Sequence, residues 1–240
     1  MKGWALVTGA AKRIGRAIAL DLAENGWDIV AHFHTSQDDA ATLADAIQDL
    51  GRKACLVEMD LANEKAIAKL IPQLTAELGP IKALVNNASR FVPDAADDRP
   101  ELNEAVNVIA PRLLSEAFYQ SHKGKHWPQP PAIVNLLDAD ATKPEFSGYN
   151  ASRQKLAEMT QAMARDFAPL IRVNAVAPGP TMPGPRESQE HFDAMVQKLT
   201  IKKPVTPEDI AMAVRFLIDN GSVTGETIRL DNGGRLTAKI

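Results

Sequence analysis

The stretch KGWALVTGAAKRIGRAIA, residues 2–19, joins a short apolar run to a glycine turn and then to a helical pattern. Residues 4–7 are apolar and suit a strand that is buried on both faces. Gly9 can take the positive φ of a tight turn, and Gly15 lets the helix approach the strand closely. The free N–H groups and positive dipole end of such a helix bind phosphate. This stretch therefore predicts a strand–turn–helix unit that holds the pyrophosphate of a dinucleotide.

The glycine spacing of this turn departs from the plain G-x-G-x-x-G pattern. Its glycines are Gly9 and Gly15, and Arg13 stands where a middle glycine is expected. An ordinary strand-to-helix turn therefore stays open as the alternative on this stretch alone. On the dinucleotide interpretation, the turn supplies these cofactor contacts: Thr8, Gly9, Arg13, Ile14 and Gly15.

The composition favours a globular protein that acts on small molecules. The 240 residues are 45% hydrophobic and 24% charged, enough to bury a substantial core in a single domain, 1–240. The net charge of −3, with mixed signs and no basic run, argues against nucleic acid or a membrane surface as the partner. Cys55 is the single cysteine and lies in an apolar stretch, which predicts a buried, inert thiol and no internal disulfide. With no apolar run of membrane-spanning length and no export signal, we expect a cytoplasmic protein.

Apolar runs alternate with helix-period segments along almost the whole chain. This alternation predicts an α/β Rossmann fold, a doubly wound parallel sheet of about seven strands with helices on both faces. The predicted strands are 3–7, 28–33, 54–58, 82–86, 132–137, 171–176 and 226–230. Proline-rich segments 127–131 and 178–185 are predicted to be loops, and the second is long enough to carry function.

The end of the second strand, HFHTS at 32–36, lacks the acidic residue that normally binds an adenosine ribose. Arg13, His32, His34 and Ser36 bound this position instead, and such groups can bind a phosphate. The pattern predicts NADP(H) rather than NAD(H) as the cofactor. The alternative is that the two histidines are ordinary surface residues.

Polar residues also follow the third and fourth predicted strands. Asp60, before Leu61, could accept a hydrogen bond from the adenine amino group, or could cap the next helix. Asn87, Ala88 and Ser89 close the fourth strand, where they either hold the strand end beside the cofactor or form a simple polar turn.

Taken in order, TGAAKRIG (8–15), NNAS (86–89), Tyr149 and APGP (177–180), with Asp60 and Asn107 between them, resemble the classical short-chain dehydrogenase/reductases. The resemblance covers essentially the whole chain, including VTGETIRLDNGG at 223–234. Within that superfamily, TGAAKRIG, HFHTS, NNASRF (86–91) and Asp138 are similar to the pteridine reductase and dihydromonapterin reductase branch.

The resemblance implies that Tyr149 is the catalytic proton donor, on a helix that follows the fifth strand. The family places a lysine four residues later, but this chain has Arg153 there. Four residues along a helix keep both side chains on one face, so Arg153 can reach the phenol and the nicotinamide ribose. Lys155, six residues on, points to a different side of the helix. A planar guanidinium also differs from a compact ammonium, which leaves impaired activity open.

The superfamily usually has a serine at the position of Asp138. The pteridine reductases that the chain resembles carry an aspartate there. A carboxyl group there suits a substrate with a ring nitrogen better than a carbonyl substrate. Asp138 could otherwise be a turn residue. Phe91 matches the aromatic residue that stacks on the pterin, with simple packing as the alternative.

Further roles follow from the same resemblance. It implies that Asn107 kinks a helix and holds a water near the site, that Pro178 and Gly179 contact the nicotinamide amide, and that residues 181–200 form a substrate lid. It also implies a homo-oligomer, a tetramer or dimer built through helices near 98–122 and 149–168. No metal site is expected.

Three functions remain open at the level of sequence. The preferred one is NADPH-dependent reduction of a pterin-like or other small planar substrate. The second is reduction of a carbonyl, such as a 3-oxoacyl thioester or a sugar ketone. The third is NADPH binding with little or no turnover, because Arg153 replaces the expected lysine.

Overall fold

The chain forms a parallel β-sheet in a computed structural model that describes residues 2–184 and 187–236. The strands are β1 (Gly3–Val7), β2 (Trp27–Phe33), β3 (Ala54–Glu58), β4 (Ile81–Asn86), β5 (Ala132–Leu136), β6 (Arg172–Pro178) and β7 (Thr227–Leu230). Their order in the sheet is 3-2-1-4-5-6-7, and every neighbouring pair is parallel. This confirms the predicted α/β Rossmann fold, and each predicted strand agrees with the structure to within two residues at either end.

Helices connect successive strands. They are α1 (Arg13–Glu24), α2 (Gln37–Asp49), α3 (Glu64–Leu78), α4 (Glu101–Glu104), α5 (Ala110–His122), α6 (Ser147–Asp166), α7 (Gln189–Gln197) and α8 (Pro207–Asp219). A π-helical turn, Ala105–Ile109, joins α4 directly to α5. The described part of the chain contains no helix that is both long and apolar enough to span a membrane.

The central strand β1 is buried on both faces, as its apolar run predicted. Ala5 and Val7 pack into one core with α1, α2 and α8. Leu6, between them, faces the opposite core with α3, α5 and α6. All three side chains are fully buried. Burying a side chain such as Leu6 contributes about 1.5–3 kcal/mol, so these alternating contacts fix which face each helix covers.

The strand order reverses direction at β1. From β1 the chain passes to β2 on one side, and β4 lies on the other side. In open sheets of this kind, the loops at the carboxyl ends of the strands separate at such a point and leave a crevice for a ligand. Thr8, Asn87 and Asp138 follow β1, β4 and β5, so all three lie at this edge.

Two other expectations have mixed outcomes. The thiol of Cys55, on the edge strand β3, is only half-buried, and burial, together with Glu77, raises its pKa. A raised pKa disfavours the thiolate, consistent with an inert cysteine. The predicted lid, residues 181–200, contains α7. Residues 185 and 186 of the lid lie outside the described residues. Residue 185 is also the last residue of the predicted loop 178–185.

Candidate active site

The turn after β1 is tied to the end of β4 by a set of short hydrogen bonds. Thr8 Oγ1 accepts the backbone N–H groups of Asn87 (2.9 Å) and Ala88 (3.0 Å) and donates to the Val85 carbonyl. The Asn87 side-chain amide donates to the carbonyls of Thr8 (2.8 Å) and Gly9 (3.1 Å). The polar residues after the fourth strand therefore fix the shape of the glycine turn rather than forming a separate loop.

Both glycines of the turn are required by the backbone. Gly9 has a φ of 63°, which disfavours other residues. A Cβ atom on Gly15 would lie 2.1 Å from the Gly9 carbonyl oxygen and 2.6 Å from Asn87 Nδ2. The Gly15 backbone therefore lies so close to the turn that no side chain fits at this position. Helix α1 begins here with no side-chain cap, so its first N–H groups are left for a ligand. This cradle fits the pyrophosphate of a dinucleotide.

His32 occupies a different place from the one expected. Its Nδ1 accepts the Gly9 N–H at 3.1 Å, and its Nε2 lies 3.0 Å from the Met59 carbonyl. The side chain is buried within β2, so neither ring nitrogen is available to a phosphate. The prediction that His32 contacts the cofactor's phosphate does not fit this geometry. The ring instead links the glycine turn to the segment that follows β3.

The buried position of His32 makes folding stability depend on pH. Burial lowers its pKa to about 4, whereas an unfolded histidine titrates near 6.5. Between these values the unfolded state binds a proton that the folded state does not. The contribution of His32 to the free energy of unfolding is therefore complete above pH 6.5. It is lost as the pH falls towards 4, and the total loss is about 3 kcal/mol. Urea unfolding at pH 7 and pH 4.5 measures this change.

The control for this prediction lies two residues away. His32→Gln is expected to be less stable than the wild type at pH 7 and to lose less stability on acidification. His34→Gln removes an exposed histidine and is expected to keep the wild-type pH dependence. An unchanged pH slope in His32→Gln would contradict the assignment.

The remaining nucleotide-end residues are better exposed. His34 is exposed, and Ser36 begins α2 without using its hydroxyl as a cap. Arg13 has a positive φ of 53°, and its guanidinium donates to the carbonyls of Pro183 (3.0 Å) and Met182 (3.4 Å). Arg13 thus connects the phosphate turn to the loop after β6.

Asp60 accepts the Ala62 N–H at 2.9 Å, while Asn63 caps α3. The alternative that Asp60 is the helix cap is therefore wrong, and Leu61 beside it is buried. Ser89 is exposed near the start of the loop after β4.

The loop after β6 lies at the same edge of the sheet. The Pro178 carbonyl accepts the Ala139 N–H at 2.8 Å, one residue after Asp138. A Cβ atom on Gly179 would lie 2.9 Å from Asp231 Cα, so this glycine permits a close backbone approach. Pro178 and Gly179 therefore lie beside the β5 loop that carries Asp138.

Tyr149 and Asp138 form the centre of the site. The buried Tyr149 hydroxyl donates to Asp138 Oδ2 at 3.0 Å. The other carboxylate oxygen accepts the Asp140 N–H at 2.8 Å, which fixes the carboxylate plane. Asp138 is thus both a turn residue and a partner of the phenol, so the two interpretations of its role are compatible.

Arg153 lies against the face of the Tyr149 ring, with its guanidinium carbon 5.0 Å from the ring centroid. The side chain is buried and donates to the Leu136 carbonyl at 2.9 Å, while its Nε has no partner among the described residues. Lys155 instead pairs with Glu104 on the surface at 2.7 Å, which confirms that it points away from the phenol.

The environment of Tyr149 keeps the phenol protonated. Burial raises its pKa to about 12, with the Asp138 carboxylate acting in the same direction and the Arg153 guanidinium opposing both. At neutral pH the hydroxyl is therefore a proton donor, and the phenolate is disfavoured.

Aromatic rings form one wall of the site. Phe91 stacks on Phe146 with ring centroids 4.3 Å apart and planes 2° from parallel. It also meets the Tyr149 ring edge-on at 4.7 Å and remains 40% exposed. Phe91 therefore packs against two aromatic rings, while part of its side chain remains exposed to solvent. Sequence reasoning missed Phe146, although its place three residues before Tyr149 was visible.

Asn107 lies in the π-helical turn and is fully buried. Its side-chain amide contacts both backbone groups of Arg90, accepting the N–H at 2.8 Å and donating to the carbonyl at 3.0 Å. It also donates to Ser152 Oγ at 3.0 Å. The helix irregularity expected at Asn107 is present, and the residue joins the β4 loop to α6.

Comparison with known proteins identifies the family. Residues 9–234 match the protein family described as enoyl-(acyl carrier protein) reductase. A short-chain dehydrogenase/reductase of Armillaria gallica is 31% identical over 255 residues, covering 95% of this chain and 94% of that protein. The chain belongs to the short-chain dehydrogenase/reductases. Pteridine reductase 1 of Leishmania tarentolae is 30% identical to this short-chain dehydrogenase/reductase, covering 97% of the chain and 96% of that protein.

A solved structure extends the likeness. FolM alternative dihydrofolate reductase 1 from Brucella canis, complexed with NADP, superposes with a TM-score of 0.90 and 36% identity, over 99% of this chain and 95% of that one. These relatives confirm the resemblance to the superfamily and to its pteridine reductase branch. The protein is thus an NAD(P)-dependent oxidoreductase of the short-chain dehydrogenase/reductase family.

Proposed function

We propose that this chain is an NADP(H)-dependent reductase of a pterin-like or other small, flat ring substrate. The observation that carries the proposal is the hydrogen bond from the buried Tyr149 hydroxyl to the Asp138 carboxylate. The likeness to FolM of Brucella canis and to pteridine reductase 1 of Leishmania tarentolae supports the same substrate class.

The Asp138 carboxylate favours a substrate that gains a proton on nitrogen. A carbonyl substrate develops an oxyanion during reduction, and a carboxylate 3.0 Å from the proton donor repels that charge. A ring nitrogen that is protonated develops no such oxyanion. Tyr149 donates the proton, and Asp138 orients the hydroxyl. The exposed side of Phe91 offers a stacking surface for the flat ring.

The residues at the carboxyl edge of the sheet fit NADP(H). The Gly9 to Gly15 turn and the start of α1 suit the pyrophosphate, because α1 has no side-chain cap on its first N–H groups and the turn has no room for a side chain at Gly15. Arg13, His34 and Ser36 are the groups proposed for the adenosine ribose phosphate. When bound, NADP(H) supplies the hydride, and Pro178 and Gly179 lie where its nicotinamide end is expected.

Arg153 takes the electrostatic role of the expected lysine. It holds a positive charge beside the Tyr149 ring, which opposes the rise in the pKa of the phenol and so eases proton release. Its unpartnered buried Nε leaves one donor unsatisfied among the described residues, and an acceptor on a bound ligand would satisfy it. A guanidinium anchored on the Leu136 carbonyl therefore fits a working site.

NADPH consumption by the purified protein tests the proposal. Dihydrobiopterin and dihydrofolate are the ring substrates, a 3-oxoacyl thioester is the carbonyl substrate, and NADH is the alternative cofactor. We expect turnover of the ring substrates with NADPH and much slower turnover with NADH or the thioester. Arg153→Lys, assayed in parallel, is expected to retain activity because the charge beside Tyr149 is kept.

Other outcomes would lead to different conclusions. Turnover of the thioester alone would replace the ring substrate with a carbonyl substrate. NADPH binding without turnover in the wild type, with turnover in Arg153→Lys, would show that arginine impairs the catalyst.

A further inference from the structure

The loop after β4 is held by an ion pair that the proposed mechanism does not use. The Arg90 guanidinium donates two parallel hydrogen bonds to the carboxylate of Asp97, at 2.7 and 2.8 Å. The side chain of Asp97 is only 2% exposed and that of Arg90 only 16%. Asn103, in α4, donates a further bond to Asp97 at 2.7 Å. A buried, two-pronged pair of this kind fixes geometry as well as charge.

Arg90 is also fixed through its backbone. Asn107 contacts both its N–H and its carbonyl, and the same amide donates to Ser152 Oγ. The Ser152 hydroxyl donates in turn to the Tyr149 carbonyl at 2.6 Å. A continuous chain of hydrogen bonds therefore runs from Arg90 to the backbone of the proton donor.

The residue that follows Arg90 in the chain is Phe91. The Phe91 ring contacts both Phe146 and Tyr149. Arg90 and Phe91 are therefore connected to Tyr149 in two ways, by the chain of hydrogen bonds and by ring packing. The carboxylate of Asp94, within the same loop, accepts the Ser147 N–H at the start of α6 at 2.7 Å. The loop is thus attached to α6 on both sides of Phe91.

We infer that the Arg90–Asp97 ion pair sets the position of the Phe91 ring relative to Tyr149, which makes Arg90 a positioning residue for the substrate ring. This inference rests on the proposed function, in which the substrate stacks on Phe91. Arg90 acts through Phe91 and leaves the cofactor turn unchanged, because its contacts lie within residues 90–107.

The test compares Arg90→Lys with Arg52→Lys. Lysine keeps the charge but cannot form the two parallel bonds to one carboxylate. Arg52 forms a partly buried ion pair with Asp28 at 2.6 Å, through one hydrogen bond. Asp28 lies at the start of β2, at the opposite edge of the sheet from the site, so Arg52 is the control. Substrate KM, kcat, the NADPH dissociation constant and the melting temperature are measured for both variants.

Arg90→Lys is expected to raise the KM of the dihydropteridine by about tenfold or more, because a misplaced ring loses substrate binding. Its kcat and NADPH affinity are expected to change by less than about threefold. Arg52→Lys should also lower the melting temperature, because it alters a partly buried ion pair, but should leave KM unchanged. The double variant Phe91→Ala/Arg90→Lys should bind substrate no worse than Phe91→Ala alone, because the two residues act as one unit.

Two results would overturn the inference: an unchanged KM in Arg90→Lys, or additive effects of the Arg90 and Phe91 changes. A crystal structure of Arg90→Lys separates this outcome from failure of the proposed function, since it needs no turnover. The Phe91 ring is expected to leave its stacked position on Phe146 in that structure. A ring that stays stacked would refute the role of Arg90 whatever the substrate is.

Discussion

Tyr149→Phe is expected to lower kcat by about 10²–10⁴-fold, the range typical of a lost general acid. The substitution removes only the hydroxyl that donates to Asp138, and the ring keeps its contacts with Phe91 and Arg153. NADPH affinity is therefore expected to stay within about twofold of the wild type, because the cofactor cradle lies on other elements. Steady-state kinetics with the ring substrate and NADPH titration measure the two effects separately.

The chain offers a matched control for this experiment. It has two tyrosines, and Tyr119, a partly buried residue of α5, stacks on Phe167 with ring centroids 4.5 Å apart. Tyr119→Phe removes the same atom at a distance from the site and is expected to leave kcat unchanged. An undiminished kcat in Tyr149→Phe would mean that another group supplies the proton.

Gly15→Ala is the second change with a large expected effect. The added methyl group would lie 2.1 Å from the Gly9 carbonyl oxygen, so the backbone of the turn or of α1 must move. Such overpacking costs about 1–3 kcal/mol of folding free energy. If the backbone is also displaced in the complex with NADPH, the affinity for NADPH falls by about tenfold to a hundredfold. Thermal unfolding and NADPH titration measure both effects.

Gly221→Ala is the control for the cradle. The nearest atom to a Cβ on Gly221 would belong to the flexible Gln129 side chain, at an ordinary contact distance of 3.4 Å. This variant is expected to keep the wild-type melting temperature and NADPH affinity. Wild-type NADPH affinity in Gly15→Ala would show that the cofactor does not occupy the turn.

The sequence predicts the fold because the signals that set it are local. Apolar runs of parallel strands and the helical spacing after Gly9 require no knowledge of distant contacts. The same is true of Tyr149 and Arg153, whose separation of four residues puts them on one helix face in any helix. Asp138 follows a strand whose end is visible, so its place at the carboxyl edge of the sheet is also predictable.

Other parts of the site depend on contacts between distant segments. His32 lies one residue before the end of β2. A shift of one residue in the strand reverses the face to which a side chain points, and so decides whether it faces a ligand or the protein. The stacking of Phe91 on Phe146 joins two loops 55 positions apart in the chain, and no sequence period links them. Arg90 and Asp97 are both loop residues, so their pairing follows from the path of the loop rather than from a pattern.

The π-helical turn at Ala105–Ile109 restricts how this protein can vary in length during evolution. Each residue advances an α-helix by about 100°, and a π turn carries one residue more than regular α geometry. Deleting a single residue there would rotate α4 relative to α5 and carry Asn103 away from Asp97. Insertions and deletions are therefore expected to accumulate in the surface loop 123–131 and to be excluded from residues 101–109, where helix length is as constrained as residue identity.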